Sequence, residues 1–295
     1  MTSTPTPHTP GLQDWISLLI LTVLWGSAFA FIGHIVDFLP SAAMVFVRLS
    51  LAALMLTGWA MYRGRRLPGM RDKRWIWFAG LGFFGNTLPF ILIGFGQQTI
   101  DSNLAGILVA TMPLATLALA HVFVPGERMT ARMLIGFLIG FAGVVLLMGP
   151  SALTAMGGAD TLAQLAVVGA AVCYGINAVL ARLIPDTPAS VSGAGMLITA
   201  SVLAAPLGVW DLVQTSDVPL SAWSSIVWLA IGPTAITSVL LMQIARTAGP
   251  GFLAVVNYLT PIAAVITGVI IGETIGWDAL LALTVILAGV WIAKR

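Results

Sequence analysis

Charge is what this chain has least of. Lys, Arg, Asp and Glu together make up 8% of the residues, against 59% hydrophobic, and mean hydropathy is +1.01. A soluble domain carries about 25% charged residues to cover its surface, so a soluble globular fold is excluded. No long polar segment remains, which leaves no room for a soluble catalytic or nucleic-acid-binding domain. Cysteine is down to Cys173, inside an apolar run, so no intrachain disulfide can form and the residue reads as a small packing group. There is no Gly-rich phosphate loop of the Walker type, which excludes a primary pump within this chain. Neither a filter-like motif nor a ring of charge points to an ion channel. His, Asp, Glu and Ser do not cluster at catalytic spacing, which argues against a membrane-embedded enzyme. Nothing calls for a cofactor or a metal.

What is there is apolar sequence almost end to end. A bilayer core takes about 20 apolar residues per helical span. Ten candidate spans can be drawn, near 14–34, 41–62, 75–97, 103–124, 131–149, 162–182, 189–210, 223–245, 251–272 and 276–293. The fold class expected is therefore an all-α membrane protein with ten transmembrane helices. The Pro/Thr-rich start, residues 1–12, reads as a disordered tail. No Lys or Arg precedes the first apolar run and Asp14 sits at its start, so it reads as a permanent helix rather than a cleaved signal.

The basic residues orient the chain. Arg63, Arg65, Arg66, Arg71, Lys73 and Arg74 fall between spans two and three, and Arg128 and Arg132 between four and five. Arg182, Arg246, Lys294 and Arg295 fall on the same side. The opposite loops PSALTAMGGAD and DLVQTSDVPLSAW have none. The positive-inside rule then places both termini in the cytoplasm.

The two halves of the chain repeat one another. ILVATMPLATLALAHVFVPGE ends in Glu127 and VVNYLTPIAAVITGVIIGE in Glu273, with Pro113 and Pro261 in matching places. Gly143 and Gly289 follow at equal distances, and Trp25-Gly26 parallels Tyr174-Gly175. Five spans per half is an odd number, so the halves insert in opposite directions. The expected units are 13–150 and 151–295, an inverted repeat of the kind common in secondary transporters.

LTVLWGSAFAF, FVRLSLAALML with Arg48, GFGQQTIDSNLAGILVATMPL…VPGE and QIARTAGPGFLAVVNYLTPI…IGE stand together in this order. In that combination the chain resembles the drug/metabolite transporter superfamily and its ten-helix EamA-type branch, over nearly its whole length. Within the branch it is most similar to bacterial exporters of aromatic and other neutral amino acids. The resemblance implies two inverted five-helix repeats around a central cavity formed chiefly by spans 1, 3, 4, 6, 8 and 9. It implies export across the bacterial inner membrane by alternating access. The alternative on the same fold is a multidrug or other metabolite exporter.

The candidate substrate-binding residues are Trp25, Phe29, Asn86, Phe90, Tyr174, Asn177, Thr237, Asn257 and Tyr258. Tyr174 and Asn177 are three apart and share a helix face. Aromatic rings could stack on an aromatic substrate, and a carbonyl freed by Pro261 could accept an ammonium. The plainer reading is that Asn, Thr and Ser bind helices to each other. Arg48 sits about 10 Å into the membrane at 1.5 Å per residue. It reads either as a carboxylate partner or, with more weight, as a structural tie to Gln97 or Asp101. Pro113 and Pro261 are the hinge candidates. His121 is read as the only histidine inside a span, either a proton-coupling group or an interfacial polar residue. No Asp or Glu lies mid-membrane, which argues for a neutral or zwitterionic substrate and for facilitated diffusion. Gly136, Gly140 and Gly143 form a stripe suited to close helix packing, and the protein is expected to act as a monomer in the lipid bilayer.

Overall fold

The computed structural model describes residues 10–123, 130–154, 159–185, 187–248, 252–253 and 255–294. Glu127 and most of the N-terminal tail lie outside these residues. The described chain is helical, with no strand. The helices are α1 (Leu12–Val36), α2 (Ser41–Tyr62), α3 (Arg74–Gly96), α4 (Ser102–Phe123), α5 (Ala131–Thr154), α6 (Ala159–Leu183) and α7 (Ala189–Gln214). Then come α8 (Leu220–Ala230, Ile231–Ile236 and Thr237–Thr247), α9 (Val256–Ile270) and α10 (Trp277–Lys294). Among the described residues seven helices are long and apolar enough to cross a bilayer. α5, α9 and α10 add shorter apolar stretches. Side chains on the outside of the bundle, such as Leu54, Ile76, Val202 and Ile270, are apolar and exposed, as a lipid-facing surface requires. Outside the bundle, Arg74 grips Asp72 (Nη2–Oδ2 2.7 Å), and these hydrogen bonds hold the Asp72 carboxyl down to about 2.

Two helices contain π-helical turns, at Phe83–Thr87 in α3 and Ile231–Ile236 in α8. Local sequence explains the second. Pro233 has no N–H for the Leu229 carbonyl, and the Thr234 hydroxyl donates to that carbonyl instead, at 2.8 Å. In α4 the expected continuous helix is broken at Ala110–Thr111. Pro113 cannot bond the Val109 carbonyl one turn back, and Thr111 closes the break by donating to Leu108 O at 2.7 Å.

The contacts between helices come in pairs. α1 packs along α9, and α6 along the second segment of α4. α3 packs on α6 and α7, while α8 packs on α1 and α2. α2 lies along α7, and α5 along α10. Adding five to each label turns this set into itself. The matching residues of the repeat also match in space. A Cβ at Gly26 would run into Ala263 and Ala264, and one at Gly175 would stand 3.0 Å from the Thr116 nitrogen. Both glycines let two helices touch backbone to backbone. The α5 stripe does the same within the chain, since Gly136, Gly140 and Gly143 face α10 and α4 at Gly289, Ala293, Ile286 and Leu114.

Gly289→Leu should therefore separate α5 from α10, because its side chain would meet the Gly136 and Gly140 backbone. Overpacking of this kind costs about 2 kcal/mol or more. Thermal unfolding in detergent checks it: the midpoint should fall by several degrees. Gly58→Ala, where a Cβ meets open space, should leave it unchanged or raise it.

Candidate functional site: a buried polar cluster and a cavity

Arg48 stands at the centre of a polar cluster inside the bundle. Its side chain comes from α2 and the residue is 2% exposed. Nε donates to Thr234 Oγ1 in the π turn of α8, at 2.9 Å. The guanidinium lies over the Phe90 ring of α3, 3.9 Å from its centroid, a cation–π contact strengthened by the lack of water. Tyr174 of α6 is within electrostatic reach. Nη1 is buried without a hydrogen-bond partner, and no carboxylate among the described residues pairs with Arg48. The tie expected to Gln97 or Asp101 is not made. Arg48 bonds α8 instead because the π turn turns the Thr234 hydroxyl toward α2, a contact the linear sequence does not encode.

The other α3 candidates lie close by. Asn86 and Thr87 are buried in the π turn of α3, where Thr87 donates to Ala200 O of α7 at 2.8 Å. Asn177, one turn along α6 from Tyr174, lies against Gly85 of the same π turn, and its Oδ1 is buried without a partner. Thr237 is buried and donates to Pro233 O at 2.8 Å. Arg48 thus joins α2 to α3 through Phe90 and to α8 through Thr234, Asn177 joins α6 to α3 at Gly85, and Asn86 and Thr237 stand in or beside the two π turns. The remaining candidates are elsewhere. Trp25 is half-buried among Leu18, Leu21, Ile244 and Val256, at the start of α9 that also carries the half-buried Asn257 and Tyr258. Phe29 is buried in the main core. Pro261 is buried inside the continuous α9 helix, and Pro113 is half-buried beside the α4 break. His121 is exposed in the last turn of α4.

A cavity of about 650 Å³ opens at the other end of the bundle from Leu12. Its walls are Ser27, Ala30, Phe31 and His34 of α1, Gln97, Asp101 and Ser102 around the α3–α4 connection, Ser225 of α8, Thr267 and Ile270 of α9, and Asp37 and Glu273. None of the nine candidate substrate residues lines it. His34 lies within α1 and approaches Ser221 Oγ at 3.3 Å, so His121 is not the only histidine within a helix. Sequence reading passed over His34 although it closes the first apolar stretch, 14–34.

Glu273 explains the Gly-Glu pair. Gly272 has φ +95°, the left-handed conformation that glycine adopts without strain. Glu273 N–H returns to Gly268 O at 2.9 Å, and Gly272 N–H to Val269 O at 3.1 Å, the double bond of a Schellman cap. The turn delivers the Glu273 carboxylate to the N-terminus of α4, where it accepts from Ser102 N–H at 2.9 Å and Asn103 N–H at 3.0 Å. Those are two of the donors that a helix start leaves without partners. Gln97 joins the same corner: its Nε2 donates to Phe29 O at 2.8 Å and Ser102 Oγ at 3.0 Å.

A bundle with an apolar outside, a polar interior and a cavity shared by both halves of the chain is a multi-pass membrane protein. Residues 14–149 and 161–294 each match the EamA-like transporter family, and the chain belongs to that family. It is 26% identical over 276 residues to the "Uncharacterized inner membrane transporter YedA" of Escherichia coli K12, covering 93% of this chain and 88% of that one. It is 29% identical over 294 residues to the "Probable terminal-alkyne amino-acid exporter" of Streptantibioticus cattleyicolor, covering 96% and 94%. A solved crystal structure, 23% identical, superposes with a TM-score of 0.67 over 96% of this chain and 97% of that one, which shows a shared fold. The protein is a multi-pass protein of the inner membrane.

Glu273→Ala should cost about 1–2 kcal/mol, the usual penalty for a lost helix cap. Glu273→Gln keeps one acceptor oxygen and should retain about half of that. The check is thermal unfolding in detergent; an alanine variant that melts with wild type would show that the cap carries no weight.

Proposed function

We propose that the protein is a secondary transporter that exports neutral amino acids, aromatic ones foremost, from the cytoplasm. Two inverted halves of five spans, 13–150 and 151–295, alternate access to a site between them, with both termini in the cytoplasm. The observation that carries this reading is the cavity of about 650 Å³ walled by α1, α8 and α9 together. Its volume falls in the range of small-molecule sites, about 300–1,000 Å³. With cytoplasmic termini, the cavity opens outward, to the side where an exporter releases its substrate. The paired helix contacts supply two similar halves that can rock. The buried cluster adds amides, hydroxyls and rings but no carboxylate, which fits a neutral or zwitterionic substrate and facilitated diffusion. The name of the Streptantibioticus relative favours amino acids over other metabolites.

A second reading has its own observation. Asp37, Asp101, Glu273 and His34 all face the cavity, which favours a cationic drug or metabolite and proton coupling.

Uptake of labelled tryptophan and phenylalanine into proteoliposomes separates the two. The proposal expects saturable uptake that stops at equal concentrations, with or without a pH gradient. Accumulation above that level only with the gradient would favour the second reading. Tyr174→Ala and Asn257→Ala should each lower the uptake rate about tenfold, the equivalent of about 1.4 kcal/mol, with membrane insertion intact. Full activity in both variants would remove these residues from the path.

A further inference from the structure

Among the buried side-chain groups without a hydrogen-bond partner in the described residues, two that lie against α3 are of opposite kind. One is a cationic donor, Arg48 Nη1; the other is a neutral acceptor, Asn177 Oδ1. A charged side chain inside a bilayer is costly and by default marks a functional site. Structure alone accounts for only part of Arg48. Its Nε ties α2 to the π turn of α8 through Thr234, and a neutral amide could do the same. The guanidinium brings a full positive charge, covered on one face by Phe90, and nothing anionic in the described protein answers it.

Both groups lie against α3, Arg48 at Phe90 and Asn177 at Gly85. Tyr174 is within electrostatic reach of Arg48. Asn177 follows on the same face of α6, about 4.5 Å further along the axis at 1.5 Å per residue. Its amide rests on Gly85 in the π turn of α3, the helix that also carries Phe90. An α-amino acid presents a carboxylate and an ammonium on adjacent carbons, with a side chain beyond. A guanidinium recognises the first, an amide oxygen the second, and the rings of Phe90 and Tyr174 offer surface to the third.

We propose that Arg48 and Asn177 form the head-group site of the transported amino acid, with Arg48 Nη1 taking the α-carboxylate and Asn177 Oδ1 accepting from the α-ammonium. The proposal rests on the amino-acid reading given above. It assigns Arg48 to binding as well as to the α2–α8 tie. It accounts for a zwitterion crossing a bundle whose interior offers only one fixed charge among these groups: the substrate's own anion completes the site.

Competition against labelled tryptophan uptake in proteoliposomes of the wild-type protein tests this directly. The competitors are tryptophan, tryptophan amide and tryptamine, which lack a free carboxylate in the last two cases, and indole-3-propionic acid, which lacks the ammonium. Tryptophan should compete at least tenfold better than the amide, tryptamine and indole-3-propionic acid. In Arg48→Gln the advantage of tryptophan over tryptamine should vanish, and Arg48→Lys should restore part of it. In Asn177→Leu the advantage over indole-3-propionic acid should vanish. Thr234→Val, which removes the tie but not Nη1, should keep the tryptophan preference. Equal competition by tryptophan and tryptamine in the wild type would overturn the head-group site while leaving an amino-acid exporter standing. No uptake of either tryptophan or phenylalanine by folded wild type would overturn the amino-acid reading and this site with it. The wild-type comparison decides the matter even where a variant fails to fold.

Discussion

The start of α4 is held by a side chain from the other half of the chain. A helix start leaves backbone N–H groups without partners, and where it is part-buried those groups need an acceptor from the protein. Glu273 supplies two acceptors to Ser102 and Asn103 at once. Its reach depends on Gly272 adopting a left-handed turn, and the corner it closes is a wall of the cavity. The Phe29 carbonyl, Gln97 and Ser102 are tied into the same corner. The cavity therefore has a fixed frame at the point where α1, α3, α4 and α9 come together.

The π turns have a comparable role nearer the middle. Each is fastened through a threonine to a helix of the opposite half: Thr87 to the α7 backbone, Thr234 to Arg48 of α2. π turns leave backbone groups out of the regular ladder and often mark functional positions. Here they sit in α3 and α8, helices that occupy matching places in the paired contacts. The close approaches at Gly26 and Gly175 have the same pairing. The bundle is built twice from one plan, and its centre is where the two copies meet.

Much of the architecture was legible in the sequence because it follows from solvent. Apolar runs of bilayer length need no tertiary information, and neither does the repeat of Pro, Gly-Glu and Gly. The stripe at Gly136, Gly140 and Gly143 was readable as a close-packing face, and α10 fills it. The polar interior was legible in parts. Asn86 and Thr237 are buried, as polar residues inside apolar helices are, and Phe90 lies against the Arg48 cluster. Trp25, Asn257 and Tyr258 lie apart from that cluster. The acidic wall of the cavity escaped notice because Asp37 and Asp101 stand at helix ends, where carboxylates are common and carry no periodic signal.

The sequence by itself determined a helical membrane protein of repeated halves, because hydrophobic length and spacing are local properties of the chain. Only the tertiary structure decided that Arg48 bonds Thr234 rather than Gln97 or Asp101. It alone brought Glu273 to α4 across 171 residues, and set Asn177 against Gly85. These pairings depend on which helices become neighbours and on turns that depart from 3.6 residues per turn. Packing fixes both, and no single stretch of sequence contains it.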